Sequence, residues 1–144
     1  GVLLIDDCYN ASPLSMRAAL ESLADVWGRR RVAVLGGMLE LGAYAEEAHR
    51  EVGRMVARTG VDLLVAVGEE AKWIVDEAIR SGLDPRNSLW FGGAQEAAGQ
   101  VASWAGQEDV ILVKGSRGFR LERVTSALAE HFGAPVESEA GESL

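Results

Sequence analysis

The sequence alternates between short apolar runs and longer segments in which apolar residues recur at helical spacing. The short runs are rich in β-branched residues and occupy positions 2–5, 31–35, 62–67, 88–91 and 109–113. Such continuous apolar runs are typical of parallel strands that are buried on both faces of a sheet. In the segments between and after them, apolar residues line one helical face, as Leu121, Val124 and Leu128 do near the end of the chain.

This alternation of strand and helix predicts a doubly wound α/β fold with a mostly parallel sheet. We expect five parallel strands, four crossover helices and a final helix at about residues 120–132. Residues 1–132 contain the whole pattern and are predicted to form one domain around a single core. Residues 133–144 are rich in Gly, Ser, Ala and Glu and are predicted to be a flexible acidic tail. Gly1 leads almost at once into the first strand, so we expect the chain to be cut from a larger protein at a domain boundary.

Composition and charge narrow the classes of protein that fit. Apolar residues make up 48% of the 144 positions and charged residues 25%, which is the balance of an ordinary soluble domain. No apolar run approaches the roughly 20 residues that span a bilayer. The net charge of −8 argues against a nucleic-acid partner, because phosphates would be repelled. A single cysteine, Cys8, and the lack of an export signal favour the cytoplasm.

Polar residues and glycines concentrate in the segments that follow the predicted strands. In an open parallel sheet, ligands bind beyond the carboxyl ends of the strands, so these segments are the candidate site. They occupy positions 6–13, 36–42, 68–70, 92–93 and 114–118. None has the spacing of a phosphate-binding P-loop or of a dinucleotide-binding glycine motif, so the domain lacks its own phosphate cradle. We predict no metal site either, because no His, Cys and carboxylate residues have metal-ligand spacing.

Two of these segments carry candidate binding residues. Lys114, Ser116 and Arg117 combine two cations and a hydroxyl with flexible backbone at the end of the last strand. An arginine presents a planar fork that matches a carboxylate or a phosphate. Asp6 and Asp7 follow the first strand, where ribose or metal binding and ordinary turn chemistry are both open.

Other conspicuous residues have structural interpretations. We interpret Cys8 as a small buried residue rather than a nucleophile, and we expect a packing or capping role for His49. The segment 29–31 is a run of arginines, which we interpret as a solvated turn. Ser12 and Pro13 predict the start of the first helix. Core packing is expected for the four tryptophans, Trp27, Trp73, Trp90 and Trp104.

At the same segments the sequence resembles the C-terminal domain of the Mur ligases. The matching pieces follow the family's order and spacing, and they are residues 5–13 with Ser15 and Met16, residues 34–42, His49 with residues 51–53, and residues 113–117. Together they run from the first strand to the last helix. Residues 9–11 and 114–117 favour the members that add D-alanyl-D-alanine.

The resemblance implies a Rossmann-like domain in an ATP-dependent amide-bond ligase of peptidoglycan precursor synthesis. It implies that the substrates are UDP-N-acetylmuramoyl-tripeptide and D-alanyl-D-alanine, and that the domain closes over preceding domains of the same polypeptide. ATP and Mg²⁺ would be bound mainly by a central ATPase domain that is absent from this chain. The isolated domain is then expected to be inactive, and none of its residues is assigned to the catalytic step.

Carried over to this sequence, the resemblance implies that Asp7 approaches the ATP ribose while Tyr9 and Asn10 face the nucleotide. Lys114, Ser116 and Arg117 would receive the dipeptide, with its terminal carboxylate as the main contact.

Two positions depart from the family pattern. Gly37 stands where the family usually has aspartate, and Ser12 stands where asparagine is common. Two alternatives also remain open from the sequence. One is a sister ligase, either another Mur ligase or a folylpolyglutamate-synthase-like domain. The other is a stand-alone nucleotide-binding module, since a fold of this kind does not by itself define a function.

Overall fold

The structure is a computed structural model that describes residues 3–7, 11–28, 30–106, 108–132 and 136–138. Its strands are β1 (Leu3–Asp7), β2 (Arg30–Gly36), β3 (Leu63–Val67), β4 (Ser88–Phe91), β5 (Asp109–Lys114) and β6 (Val136–Ser138). They form one sheet in the order β4-β3-β2-β5-β1-β6, and every pairing among the described strands is parallel. The five predicted strands are therefore confirmed.

Helices cover both faces of this sheet. They are α1 (Pro13–Asp25), α2 (Ala45–Arg58), α3 (Ala71–Arg80), α4 (Ala94–Trp104) and α5 (Glu122–Phe132). The buried residues fall into two clusters, one formed by α1, α2 and α3 with one face of the sheet and the other by α4 and α5 with the opposite face. Side chains along β5 alternate between the clusters, with Val110 and Leu112 in the first and Ile111 and Val113 in the second. The doubly wound arrangement is thus confirmed.

The sixth strand was not predicted. Val136–Ser138 lies within the stretch predicted to be a flexible tail, yet it pairs with β1, with Leu4 opposite Val136. The reason is that a strand of three residues with one apolar position gives no periodic signal. The tail prediction is therefore wrong for these three residues.

The start of α1 follows the prediction made from its sequence. The Oγ of Ser12 accepts a hydrogen bond from the Ser15 N–H at 3.1 Å, and the Oγ of Ser15 accepts one from the Ser12 N–H at 2.9 Å. This reciprocal capping satisfies two N–H groups that would otherwise lack partners, and Pro13 occupies the first helical position. Serine therefore serves as the helix cap at position 12.

Helices α2 and α3 approach each other closely at Gly53. A Cβ at that position would lie 2.5 Å from the Ile74 carbonyl oxygen, so only glycine allows the contact. Charged pairs flank it, since Arg50 binds Asp76 at 2.8 Å and Arg54 binds Glu77 at 3.3 Å. Glu77 is buried by this packing.

Two arginines of the segment 29–31 are structural rather than solvated. Arg30 donates a hydrogen bond to the buried carboxylate of Asp109 at 2.9 Å, across the first residue pair of β2 and β5. Arg31 donates to the carbonyl oxygens of Leu23 and Val26 at the end of α1, where a cation is favoured. The solvated-turn interpretation is wrong for these two residues, and Arg29 lies outside the described residues.

The tryptophan prediction is confirmed for two of the four positions. Trp90 and Trp104 are half-buried against the core, whereas Trp73 is half-buried against the His49 ring. Trp27 is 83% exposed, because it follows the end of α1 in the turn that leads to β2. Within the described ranges, no helix combines the length and hydrophobicity needed to cross a membrane.

Replacing Arg30 with methionine removes the cation and keeps most of the side-chain volume. Asp109 then stays buried without this guanidinium partner, so the free energy of unfolding should fall by about 3 kcal/mol. Arg86→Met is the matched control, because Arg86 pairs with Asp84 at the protein surface and should leave urea unfolding unchanged. Equal midpoint shifts in the two variants would show that the buried pair does not stabilise the β2–β5 contact.

Candidate functional site

The carboxyl ends of β1, β5 and β2 lie side by side in the sheet. Asp7 is in register with Lys114, and Lys114 with Leu35. The segment after β5 continues to α5 on one face, whereas those after β1 and β2 continue to α1 and α2 on the other. Neighbouring segments therefore diverge on both sides of β5, which is where ligands bind in such folds.

This edge contains the candidate residues predicted from the sequence. Asp7 is the last residue of β1, and Arg117 begins a short 3₁₀ turn (Arg117–Phe119) after β5. The structure describes their backbone but not their side chains. Tyr9 and Asn10 lie outside the described residues, as does Cys8. The roles assigned to Asp7, Tyr9, Asn10 and Arg117 stay predictions.

Lys114 and Ser116 are described in full, and both are buried. Lys114 is 1% exposed at the end of β5, so its ammonium group lies beneath the protein surface. Ser116 connects the segment after β5 to the segment after β2. Its N–H donates to the Gly37 carbonyl oxygen at 3.1 Å, and its Oγ accepts from the Leu39 N–H at 3.1 Å. A hydroxyl both accepts and donates, so Ser116 also has an Oγ hydrogen to donate.

His49 holds the segment after β2 from the other side. The side chain is fully buried on α2, where its Nε2 accepts a hydrogen bond from the Met38 N–H at 2.8 Å. Its Nδ1 lies 2.6 Å from the Ala45 carbonyl oxygen, and its ring packs against Trp73. Burial is the main influence on the ring and lowers the pKa of His49 below its usual value of 6.5. The predicted packing role is confirmed, and the capped group is a loop N–H rather than a helix end.

Phe119 occupies a slot lined by glycines at the ends of β2 and β3. A Cβ on Gly68 would lie 2.3 Å from Cε1 of the ring, and a Cβ on Gly37 would lie 2.7 Å from Cζ. Gly68 also has φ of +101°, a backbone conformation that favours glycine. The ring therefore fills the space that a side chain at position 37 would need.

A cavity of about 390 Å³ borders the slot at the ends of β3 and β4. The start of α4 and two exposed arginines, Arg120 and Arg123, form part of its wall together with Phe119. Arg123 also donates to Gln95 at 3.3 Å. Arg120 and Arg123 follow Lys114 closely in the sequence, but Lys114 is buried at the end of β5 and does not line this cavity.

The residues that the structure describes do not form a metal-binding group. Among them, no three His, Cys, Asp or Glu side chains come together in a way that could hold an ion. The described part of this domain therefore supplies no complete set of magnesium ligands.

The sequence is similar to known proteins over most of its length. The sequence matches the family model described as the glutamate ligase domain of Mur ligases over residues 1–117. The UDP-N-acetylmuramoyl-tripeptide–D-alanyl-D-alanine ligase of Bacillus subtilis is 34% identical over 131 residues, which cover 90% of this chain and 28% of that protein. The Escherichia coli protein of the same name is 37% identical over 131 residues, 90% of this chain and 27% of that protein. The chain thus spans less than a third of these relatives.

Solved structures agree with this comparison. MurF ligase from Thermotoga maritima, in complex with ADP, has a TM-score of 0.75 and 31% identity, and the match covers 91% of this chain and 29% of that one. MurF from Acinetobacter baumannii has a TM-score of 0.74 and 31% identity, covering 85% of this chain and 27% of that one. The predicted Rossmann-like fold is confirmed.

The contact between Gly37 and Phe119 can be tested by substituting both residues. Gly37→Ala should lower the free energy of unfolding by about 1–3 kcal/mol, because its Cβ overpacks the slot. In a protein that already carries Phe119→Ala, Gly37→Ala should change the free energy of unfolding little. A double-mutant cycle should therefore give a coupling free energy of about 0.5–3 kcal/mol between positions 37 and 119.

Gly99→Ala is the control for adding a methyl group. Position 99 is exposed within α4, and a Cβ there meets nothing within 4 Å. This substitution should stabilise the helix by about 0.5–1 kcal/mol. If the changes that Gly37→Ala and Phe119→Ala make in the free energy of unfolding simply add, the Phe119 ring does not exclude a side chain at position 37.

Proposed function

Because the chain belongs to the Mur ligase family, we propose that it is the C-terminal domain of an ATP-dependent ligase that adds D-alanyl-D-alanine to UDP-N-acetylmuramoyl-tripeptide in peptidoglycan precursor synthesis. The observation that carries the proposal is the similarity to relatives of that name, at 34% and 37% identity over 90% of this chain. The similarity extends across the edge of the sheet where the strand-end segments meet.

The dipeptide is assigned to the segment after β5. Ser116 lies at this edge with a hydroxyl hydrogen to donate, and the backbone of Arg117 follows it directly. The terminal carboxylate of D-alanyl-D-alanine is the kind of group that a guanidinium binds with two parallel hydrogen bonds. Buried beneath them, Lys114 contributes positive charge close to the same place.

The nucleotide is assigned to the segment after β1. Asp7 ends β1 in register with Lys114, so the two strand ends are neighbours. Support for a nucleotide comes from the Thermotoga maritima structure, which is a complex with ADP. We place the ribose near Asp7 and the rest of the nucleoside near Tyr9 and Asn10.

The phosphates and Mg²⁺ are assigned to the preceding ATPase domain. The sequence has no P-loop, and the described residues bring no metal-binding group together. The chain's own contribution is to bind and orient the dipeptide and to exclude water when the domains close. Because the reaction uses ATP, we place the protein in the cytoplasm.

The full-length protein should extend UDP-N-acetylmuramoyl-tripeptide with D-alanyl-D-alanine in an ATP-dependent reaction. The product is measured by mass spectrometry, with D-glutamate, meso-diaminopimelate and D-alanine as competing acceptors. Only the dipeptide should add efficiently, because residues 114–117 resemble those of the dipeptide-adding members. Preferential addition of a single amino acid would show that the protein is a different ligase.

Arg117 should be sensitive even to conservative substitution. Lysine keeps the charge but loses the planar fork, so Arg117→Lys should lower kcat/KM for the dipeptide and Arg117→Ala should lower it further. Hydrogen bonds to charged groups contribute about 1.5–3 kcal/mol, which is roughly a ten- to hundred-fold loss. Arg86→Ala is the control, because Arg86 is exposed in the turn before β4, at the opposite end of the strands.

A dipeptide amide separates carboxylate binding from other roles of Arg117. It lacks the terminal carboxylate, so its kcat/KM should already be low and should fall little further in Arg117→Ala. If the substitution reduces the use of acid and amide equally, Arg117 does not bind the carboxylate and acts on ATP or on domain closure.

A further inference from the structure

Ser116 joins the segments after β2 and β5 by two hydrogen bonds. Ser116 binds Gly37 through its N–H and Leu39 through its Oγ. Between these two residues lies Met38, whose N–H points the other way and donates to His49. The segment from Gly37 to Leu39 is therefore held between Ser116 on one side and the His49 ring on the other.

Only one form of the His49 ring fits its surroundings. Nε2 accepts a hydrogen from the Met38 N–H, so it carries no hydrogen of its own. Nδ1 lies 2.6 Å from the Ala45 carbonyl oxygen, which is an acceptor, so Nδ1 must carry the hydrogen. The ring is thus neutral and in a single tautomer. A protonated ring would direct a second N–H at the N–H of Met38.

We propose that His49 is a positioning residue for the ligase site, whose neutral ring fixes the segment from Gly37 to Leu39 and thereby Ser116 and the start of the Arg117 turn. The proposal rests on the proposed function. His49 is fully buried and acts through the segment after β2 rather than by contact with substrate.

Protonation of His49 should release this contact. Burial lowers the pKa of His49, whereas the hydrogen bond to Ala45 and, to a smaller extent, the charge of Glu70 at the start of α3 raise it. Glu40 in the segment after β2 and Glu46 on α2 are exposed, and Arg50 on α2 is bound to Glu46 and Asp76. A buried histidine with a lowered pKa stabilises the fold fully above pH 6.5, and this stability is lost as the pH falls through its folded-state pKa.

Glutamine and asparagine at position 49 form a matched pair. A glutamine side chain can place its amide oxygen near the position of Nε2, so His49→Gln keeps an acceptor for Met38. Asparagine reaches only as far as Nδ1, so His49→Asn keeps a donor for Ala45 and loses the contact with Met38. Neither amide titrates. His131→Gln is the control for removing a histidine, because His131 is exposed on α5.

Amide hydrogen exchange in the 144-residue chain tests the contact without any assumption about the reaction. In His49→Asn the Met38 N–H should exchange about ten-fold faster or more than in His49→Gln, which corresponds to one lost hydrogen bond. The Val65 amide in the centre of β3 reports any change in global stability. If Met38 exchanges equally fast in the two variants after this correction, His49 does not hold the segment and the proposal is wrong.

Kinetics of the full-length ligase test the consequence for the site. The KM for D-alanyl-D-alanine should rise about ten-fold in His49→Asn and stay near the wild-type value in His49→Gln and His131→Gln. Below pH 6.5 the wild type should lose dipeptide affinity in a step that His49→Gln lacks. Equal KM values in the Gln and Asn variants, with the exchange difference present, would reduce His49 to a structural residue. If the full-length protein does not ligate the dipeptide at all, the proposed function is wrong, but the hydrogen-exchange difference between the Asn and Gln variants is unaffected.

Discussion

The last long strand, β5, enters the sheet between β1 and β2 and pairs with both. It is buried on both faces, and this accounts for the four consecutive apolar residues from Val110 to Val113. The segment that follows it turns to the opposite face from the segments of its neighbours. Residues that are distant in the sequence, such as Asp7, Gly37 and Ser116, are therefore brought to one edge, and the site depends on this placement.

Glycines make the contact at this edge possible. A Cβ on Gly115 would lie 2.9 Å from the Cα of Gly36, so the ends of β5 and β2 meet backbone to backbone. The close approach allows the N–H of Ser116 to reach the Gly37 carbonyl oxygen. The Phe119 side chain packs against Gly36 and Gly37 at the end of β2 and against Gly68 at the end of β3. Substitutions here change the packing of two segments at once.

Local patterns allowed much of the fold to be predicted from the sequence. The buried strands, the amphipathic helices and the Ser12 cap all depend on neighbouring residues, and the structure confirms them. The missed features depend on distant partners. The role of Arg30 depends on Asp109, 79 residues later in the sequence, and the packing at Gly37 depends on the Phe119 ring. For Asp7 and Arg117 the sequence predicted the place in the sheet, while their side-chain roles stay predictions.

In the proposed function, the segments after β1 and β5 receive different ligands at one edge of the sheet. A crystal structure of the full-length protein with ADP and D-alanyl-D-alanine would test it most directly. We expect the dipeptide carboxylate within hydrogen-bonding distance of Arg117 and Ser116, with the ribose beside Asp7. A dipeptide bound in the cavity between the ends of β3 and β4, or wholly on another domain, would contradict the account.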